Sequence, residues 1–147
     1  MTAKEYLSQA DRARKNIFML KNQIESLNAA MESVGRASMG GSRVQSSQPK
    51  DPQGDKIARI MDKKMDCEKR LTHWHGVLAD VAVMFADIEC VICYEVLRLR
   101  YLEGAGDGVT ALGLRERAER MKYSYSHIQK LHRAGIVSIA NANIFTK

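Results

Sequence analysis

Near the C-terminal end of the chain, Tyr125, Ser126, Gln129, Lys130 and Arg133 recur at a spacing that puts them on one face of a helix, with no acid among them. Glutamine and lysine suit the hydrogen-bonding edges of bases, while arginine and lysine suit phosphates. Ser124 stands just before them as a good N-cap, and a helix N-terminus adds a partial positive charge near phosphate. The chemistry indicated is recognition of nucleic acid. An ordinary helical pair with a solvated basic face would have the same composition, so the stripe alone leaves both readings open.

Other residues with chemical potential point nowhere specific. Cys90 and Cys93 form a CxxC pair, with His73 and His75 upstream. A zinc site needs four ligands converging from two elements. There is no second CxxC, and the histidines lie about four turns away along the same segment. Buried, small apolar thiols are the expected role. His127 and His132 have no serine, cysteine or carboxylate placed to make a triad with them. His132 is expected to pack or to contact phosphate. The GAGDG run at 104–108 lacks the preceding strand and the lysine of a phosphate-binding loop, and reads as a flexible connector. No catalytic residue, metal or cofactor is expected, and the chain is not read as an enzyme.

The charge supports a phosphate-facing C-terminal part. The chain has 147 residues and a net charge of +6. From Val96 onward nine basic residues stand against four acidic ones; the first 95 residues hold 14 basic and 13 acidic. Nearly all the excess is therefore in the last third. The most apolar stretch, Val77 to Leu97, is interrupted by Asp80, Asp87, Glu89 and Glu95, which argues against a membrane span. The first residues, MTAKEYLSQADRARK, lack the apolar core of a signal peptide. Three cysteines do not suggest a disulfide framework. A cytoplasmic protein is expected.

The elements that would position the stripe are all helical. Tyr6, Ala10, Ala13, Ile17, Leu20, Ile24, Leu27, Met31 and Val34 alternate at four and three residues. That is a heptad seam, predicting a helix over about 2–34. Arg12, Arg14, Lys15 and Lys21 fall on its other faces. Residues 35–55 collect four glycines, both prolines and several serines, and read as a flexible linker. A second seam follows: Ile57, Ile60, Lys64, Cys67, Leu71, Trp74, Leu78, Val81, Phe85 and Ile88. Matched lengths favour an antiparallel hairpin, with Ala10 and Ala13 opposite Leu78 and Val81, Tyr6 near Phe85, and Ile17 near Trp74. One stripe per helix is a narrow core, so a third surface is needed: the C-terminal module or a second copy of the chain. An apolar helix over about 87–102 either continues the second helix or bends near Ala86 and Asp87.

A glycine-rich loop then leads to a short helix at 114–121, a turn at Lys122 and Tyr123, and a last helix capped by Ser124 and reaching about Ala142. Short helix, tight turn and serine-capped second helix make the helix-turn-helix pattern. Its inward positions are Leu114, Ala118 and Met121, then Ile128, Leu131, Gly135 and Ile139. The expected organisation is an all-α chain with a helical hairpin over 1–87 and the helix-turn-helix over 88–147.

The runs EVLRLRYLEG and RERAERMKYSYSHIQKLHRAGI resemble region four of bacterial sigma factors. They are closer still to small phage and prophage transcription regulators, the ArpU- and RinA-like group, through Leu99-Arg100-Tyr101, Tyr123-Ser124 and His132. The resemblance covers roughly residues 88–139 and is only architectural before that. It implies double-stranded DNA as ligand, RNA polymerase as a second partner, and a role in transcription in a bacterial host. The base-contacting positions it implies are Tyr125, Ser126, Gln129 and Lys130. Arg115, Arg120, Lys122 and Arg133 are the expected phosphate contacts, with the helix from Ser124 in the major groove. Three departures stand out, the first being a loop from Glu103 to Gly113 that is longer than usual and glycine-rich. Arg117 occupies the place of an apolar residue before Ala118, predicting a less firmly anchored first helix. Lys122 stands where glycine is frequent. A homodimer is expected, because one such module buries little surface. The competing reading is a coiled-coil adaptor or inhibitor that binds a protein and does not read DNA.

Overall fold

The computed structural model describes residues 1–39, 52–104 and 109–142, with the backbone only at 37–39. Helix α1 spans Ala3–Met39 and α2 spans Pro52–Phe85. They are followed by α3 at Val91–Leu97, a π-helical turn at Arg98–Glu103, α4 at Leu114–Met121 and α5 at Tyr125–Asn141. The chain is all-helical over the described residues, as expected, and α1 and α2 pack against each other within each of its two units.

Local chemistry explains where the helices begin. Thr2 and Glu5 cap α1 reciprocally. The Thr2 amide donates to Glu5 Oε2 at 2.7 Å and the Glu5 amide to Thr2 Oγ1 at 3.2 Å. Pro52 opens α2, where its fixed φ suits a helix and its missing N–H would have no partner anyway. The helices thus extend into both margins of the expected linker; its centre, 40–51, lies outside the described residues, as do 105–108 of the glycine-rich connector. A bend rather than a continuous helix follows α2. Ala86 and Asp87 form a turn, and Ile88 donates back to Phe85 O at 3.1 Å, tucking its side chain into the core.

Packing groups the chain into two compact units. The first combines Met1–Phe18 with the chain from His73 onward, so it contains the N-terminal part of α1, the C-terminal part of α2 and all the shorter helices. Its core joins Ala3, Leu7 and Ala10 of α1 to Val81, Met84 and Phe85 of α2, and both to Cys93, Leu97, Tyr101 and Ile139. Tyr6 and Leu78 pack against it. The third surface that two helices needed is thus supplied here by α3, the π turn and α5. Fully burying a side chain such as Leu7 or Phe85 contributes about 1.5–3 kcal/mol.

The second unit, Met19–Thr72, holds the C-terminal part of α1 and the N-terminal part of α2. Of its seam, Leu20 and Cys67 are buried, while Ile24, Leu27, Met31, Val34, Ile57, Ile60 and Leu71 are only half-buried. The Cys67 thiol donates to Gln23 Oε1 at 3.5 Å across the pair. No helix among the described residues is long and apolar enough to cross a membrane.

Arg14 corrects the seam reading. Its spacing predicts an outer face of α1, yet it is only 4% exposed. Asp11 makes this possible by taking Arg14 Nη2 at 2.6 Å and both terminal nitrogens of Arg100 at 2.8 and 3.1 Å. Gly104 makes room for it. Its φ of 70° favours glycine, and a β-carbon there would run into Arg14 Nη1.

Candidate nucleic-acid interface

The stripe stands on α5, and α4 sets where α5 begins. Three residues, Lys122, Tyr123 and Ser124, join the two helices. Lys122 adopts the left-handed conformation, φ 57° and ψ 39°. Its amide donates to Glu119 O at 3.3 Å, and the Tyr123 amide reaches Ala118 O at 3.0 Å. This is the Schellman way of ending a helix, which glycine usually serves. Ser124 then returns to extended backbone, and its Oγ accepts from the His127 amide at 3.3 Å, so α5 starts with a satisfied cap.

The inward faces lie as the sequence indicated. Ala118 and Ile128 form a small core with Val96, and Leu114, Met121 and Leu131 pack on it. Gly135 and Ile139 are also buried. The absence of a side chain at Gly135 lets α5 approach α3, since a β-carbon there would sit 3.6 Å from Cys93 O and nearer still to Leu97.

Arg117, read from the sequence as loosening this arrangement, instead anchors it. It is 2% exposed. Its Nη1 donates to Val96 O at 3.2 Å and its Nε to Gly113 O at 3.3 Å, tying α4 to α3 and to its own N-cap. Burial and the nearby Arg100 guanidinium lower its pKa to about 10, so it stays charged at neutral pH. His132 lies behind the stripe, on the core side. Its ring stacks on Tyr101 at 6.0 Å between centroids, and its Nε2 is 3.4 Å from the Tyr101 hydroxyl. Burial first, then Arg117, Arg100 and Lys4, pull its pKa down to about 4. Of its two expected roles, packing is the one this position serves.

The outward face carries the residues expected at bases. Tyr125, Ser126 and Lys130 are exposed and Gln129 is half-buried. At about 100° per residue these four and Arg133 fall within one arc of roughly 140°, whose Tyr125 and Gln129 edge adjoins the buried face. No acid occurs anywhere in α5. Among the residues expected at phosphates, Arg115, Lys122 and Arg133 are exposed and carry no ion pair among the described residues. Arg120 differs. Its Nη1 holds Glu103 Oε1 at 2.8 Å, and Glu103 also takes Arg98 at 2.9 Å. Sequence reasoning missed that pairing, because the partners lie 17 residues apart across the loop. An exposed pair of this kind is worth about 0–1 kcal/mol, so a phosphate could displace Glu103.

The remaining chemistry narrows in one respect. Among the described residues, no three histidine, cysteine or acidic side chains gather as metal ligands. Cys93 is buried as expected, but Cys90 is exposed, because it caps α3 at the bend instead of lying within a helix. Comparison of the chain with protein-family models, curated proteins and solved structures found no match.

Proposed function

We propose that the chain is a DNA-binding transcription regulator of the phage or prophage kind, acting inside a bacterial cell. In this reading α4, the Lys122 turn and α5 are a helix-turn-helix, and α5 enters the major groove from its N-terminal end. The observation that carries it is the acid-free exposed face of α5. Lys130 and Arg133 stand on it without an ion pair among the described residues, and a firm core lies behind them. Tyr125, Ser126, Gln129 and Lys130 face base edges. Arg115, Lys122 and Arg133 grip phosphates, and Arg120 does so after leaving Glu103. RNA polymerase as a second partner rests on the sigma-region-four resemblance alone. A gel-shift titration against the DNA flanking the protein's own gene, at two salt concentrations, tests the reading. Retarded complexes that weaken as salt rises support it, and no complex at low salt rules it out.

A second reading has its own support, in the unit Met19–Thr72. Its seam is half-buried, and Met19, Met61 and Met65 are about half exposed. Methionine-rich, incompletely covered helices suit a protein partner. We propose a second copy of the chain as that partner, giving a homodimer that would present two α5 helices to paired half-sites. The adaptor alternative keeps the same surface and gives it a different protein. Light scattering on the purified chain separates a dimer from a monomer.

A further inference from the structure

We propose that Cys90 and Cys93 form a dithiol–disulfide site, in which the exposed Cys90 sulfur reacts first with a small disulfide and the buried Cys93 sulfur then closes the pair. The inference does not depend on DNA binding.

The arrangement starts at the bend after α2. The chain leaves the helix at Phe85 and starts α3 at Val91, which brings Cys90 to the surface as the capping residue. Three residues on, Cys93 points into the core with Leu97 and Ile139 and is 5% exposed. The Cys90 sulfur accepts from the Cys93 amide at 3.3 Å, so it already lies over the residue it would join. A disulfide needs Cα atoms about 4.4–6.8 Å apart, a range that positions one turn apart meet. Of the three free cysteines, Cys67 is buried with its thiol engaged by Gln23, and Cys90 alone is open to a reagent.

The two sulfurs are also set for different roles. Hydrogen bonds from the Cys93 thiol and amide stabilise the Cys90 thiolate and lower its pKa. Burial, and then the same interaction with Cys90, raise that of Cys93 to about 11. An exposed, favoured thiolate beside a protonated, buried partner is the division of labour that thiol–disulfide exchange needs. The Cys90 thiolate attacks one sulfur of the small disulfide. The S–S bond breaks, one thiolate leaves, and a mixed disulfide remains on Cys90. Cys93 then gives up its proton and its sulfur attacks Cys90, expelling the second thiolate. In sum, two protein thiols are oxidised and one disulfide is reduced to two thiols. Cys93 lies in the core facing α5, so closing the pair would act on the packing behind the stripe.

The test uses the full-length protein and glutathione disulfide, with free thiols counted by alkylation and intact mass. The expected result is loss of Cys90 and Cys93 together, with Cys67 still free. Cys93→Ser should stop at a glutathione adduct on Cys90, and Cys90→Ser should slow the reaction by about tenfold or more. Cys93→Ala serves equally if a serine hydroxyl unsettles the core, and circular dichroism confirms that each variant is folded. The proposal is overturned if Cys90→Ser reacts as fast as the parent, or if the parent ends with glutathione on Cys67 or with disulfides between chains.

Discussion

Gly135 of α5 lies so close to Leu97 of α3 that a β-carbon on the glycine would sit 2.7 Å from Leu97 Cδ1 and 3.1 Å from its Cγ. Leu97 is fully buried and has little room to turn away. Gly135→Ala gains about 1 kcal/mol of helix propensity but overpacks the crossing at a cost of about 1–3 kcal/mol. A net loss of stability is expected by urea denaturation. Adding Leu97→Ala should cost less in the Gly135→Ala background than in the parent, because the clash is gone.

Arg117 supports α4 through two backbone carbonyls instead of an anion. Arg117→Ala opens a cavity and strands Val96 O, and should lose about 2–4 kcal/mol. Arg117→Met keeps most of the volume and removes a buried charge, so it should recover much of that loss. Denaturation midpoints of the two variants check the order.

His132 makes stability depend on pH in mild acid. Its pKa is about 4 in the folded chain against an ordinary 6.5, so between these values the unfolded chain binds a proton that the native one does not. Stability should therefore be intact above about pH 6.5 and fall as pH drops toward 4, by up to about 3 kcal/mol. His132→Phe, which keeps a ring against Tyr101, should flatten this part of the profile. A series of thermal melts across that range measures it.

Lys122 separates stability from DNA affinity. Its left-handed backbone is strained for any residue with a side chain. Lys122→Gly should raise stability by about 1 kcal/mol or less and, if the proposed phosphate contact is made, should weaken DNA binding by removing its charge. A matched fall in both properties would place Lys122 in folding alone.

Much of the architecture could be read from local patterns. The seams of α1 and α2 and the bounds of α4 and α5 follow from apolar spacing and from Ser124, because helix periodicity and caps are encoded within a few residues. What escaped depends on partners distant in sequence. Arg14 looks like a surface arginine until Asp11, Arg100 and Gly104 are brought around it. Leu7 and Met84 fall off the heptad seam, yet are buried, because the shorter helices widen the covered face of α1 and α2. Arg117 broke an apolar pattern, and only the fold supplies the Val96 carbonyl that accommodates it. At the candidate interface, exposure of Tyr125, Ser126, Lys130 and Arg133 was legible, whereas the half-burial of Gln129 and the Glu103 pairing of Arg120 were not.

The most direct test of the DNA reading compares the parent with the Lys130→Ala/Arg133→Ala variant by fluorescence anisotropy, on duplex DNA flanking the gene, across a salt series. The parent should bind, more weakly as salt rises. The variant should bind at least about tenfold more weakly, with a log–log salt slope shallower by about one for each phosphate it no longer neutralises. Equal affinity and equal slope for the two proteins, with both correctly folded, would contradict the reading.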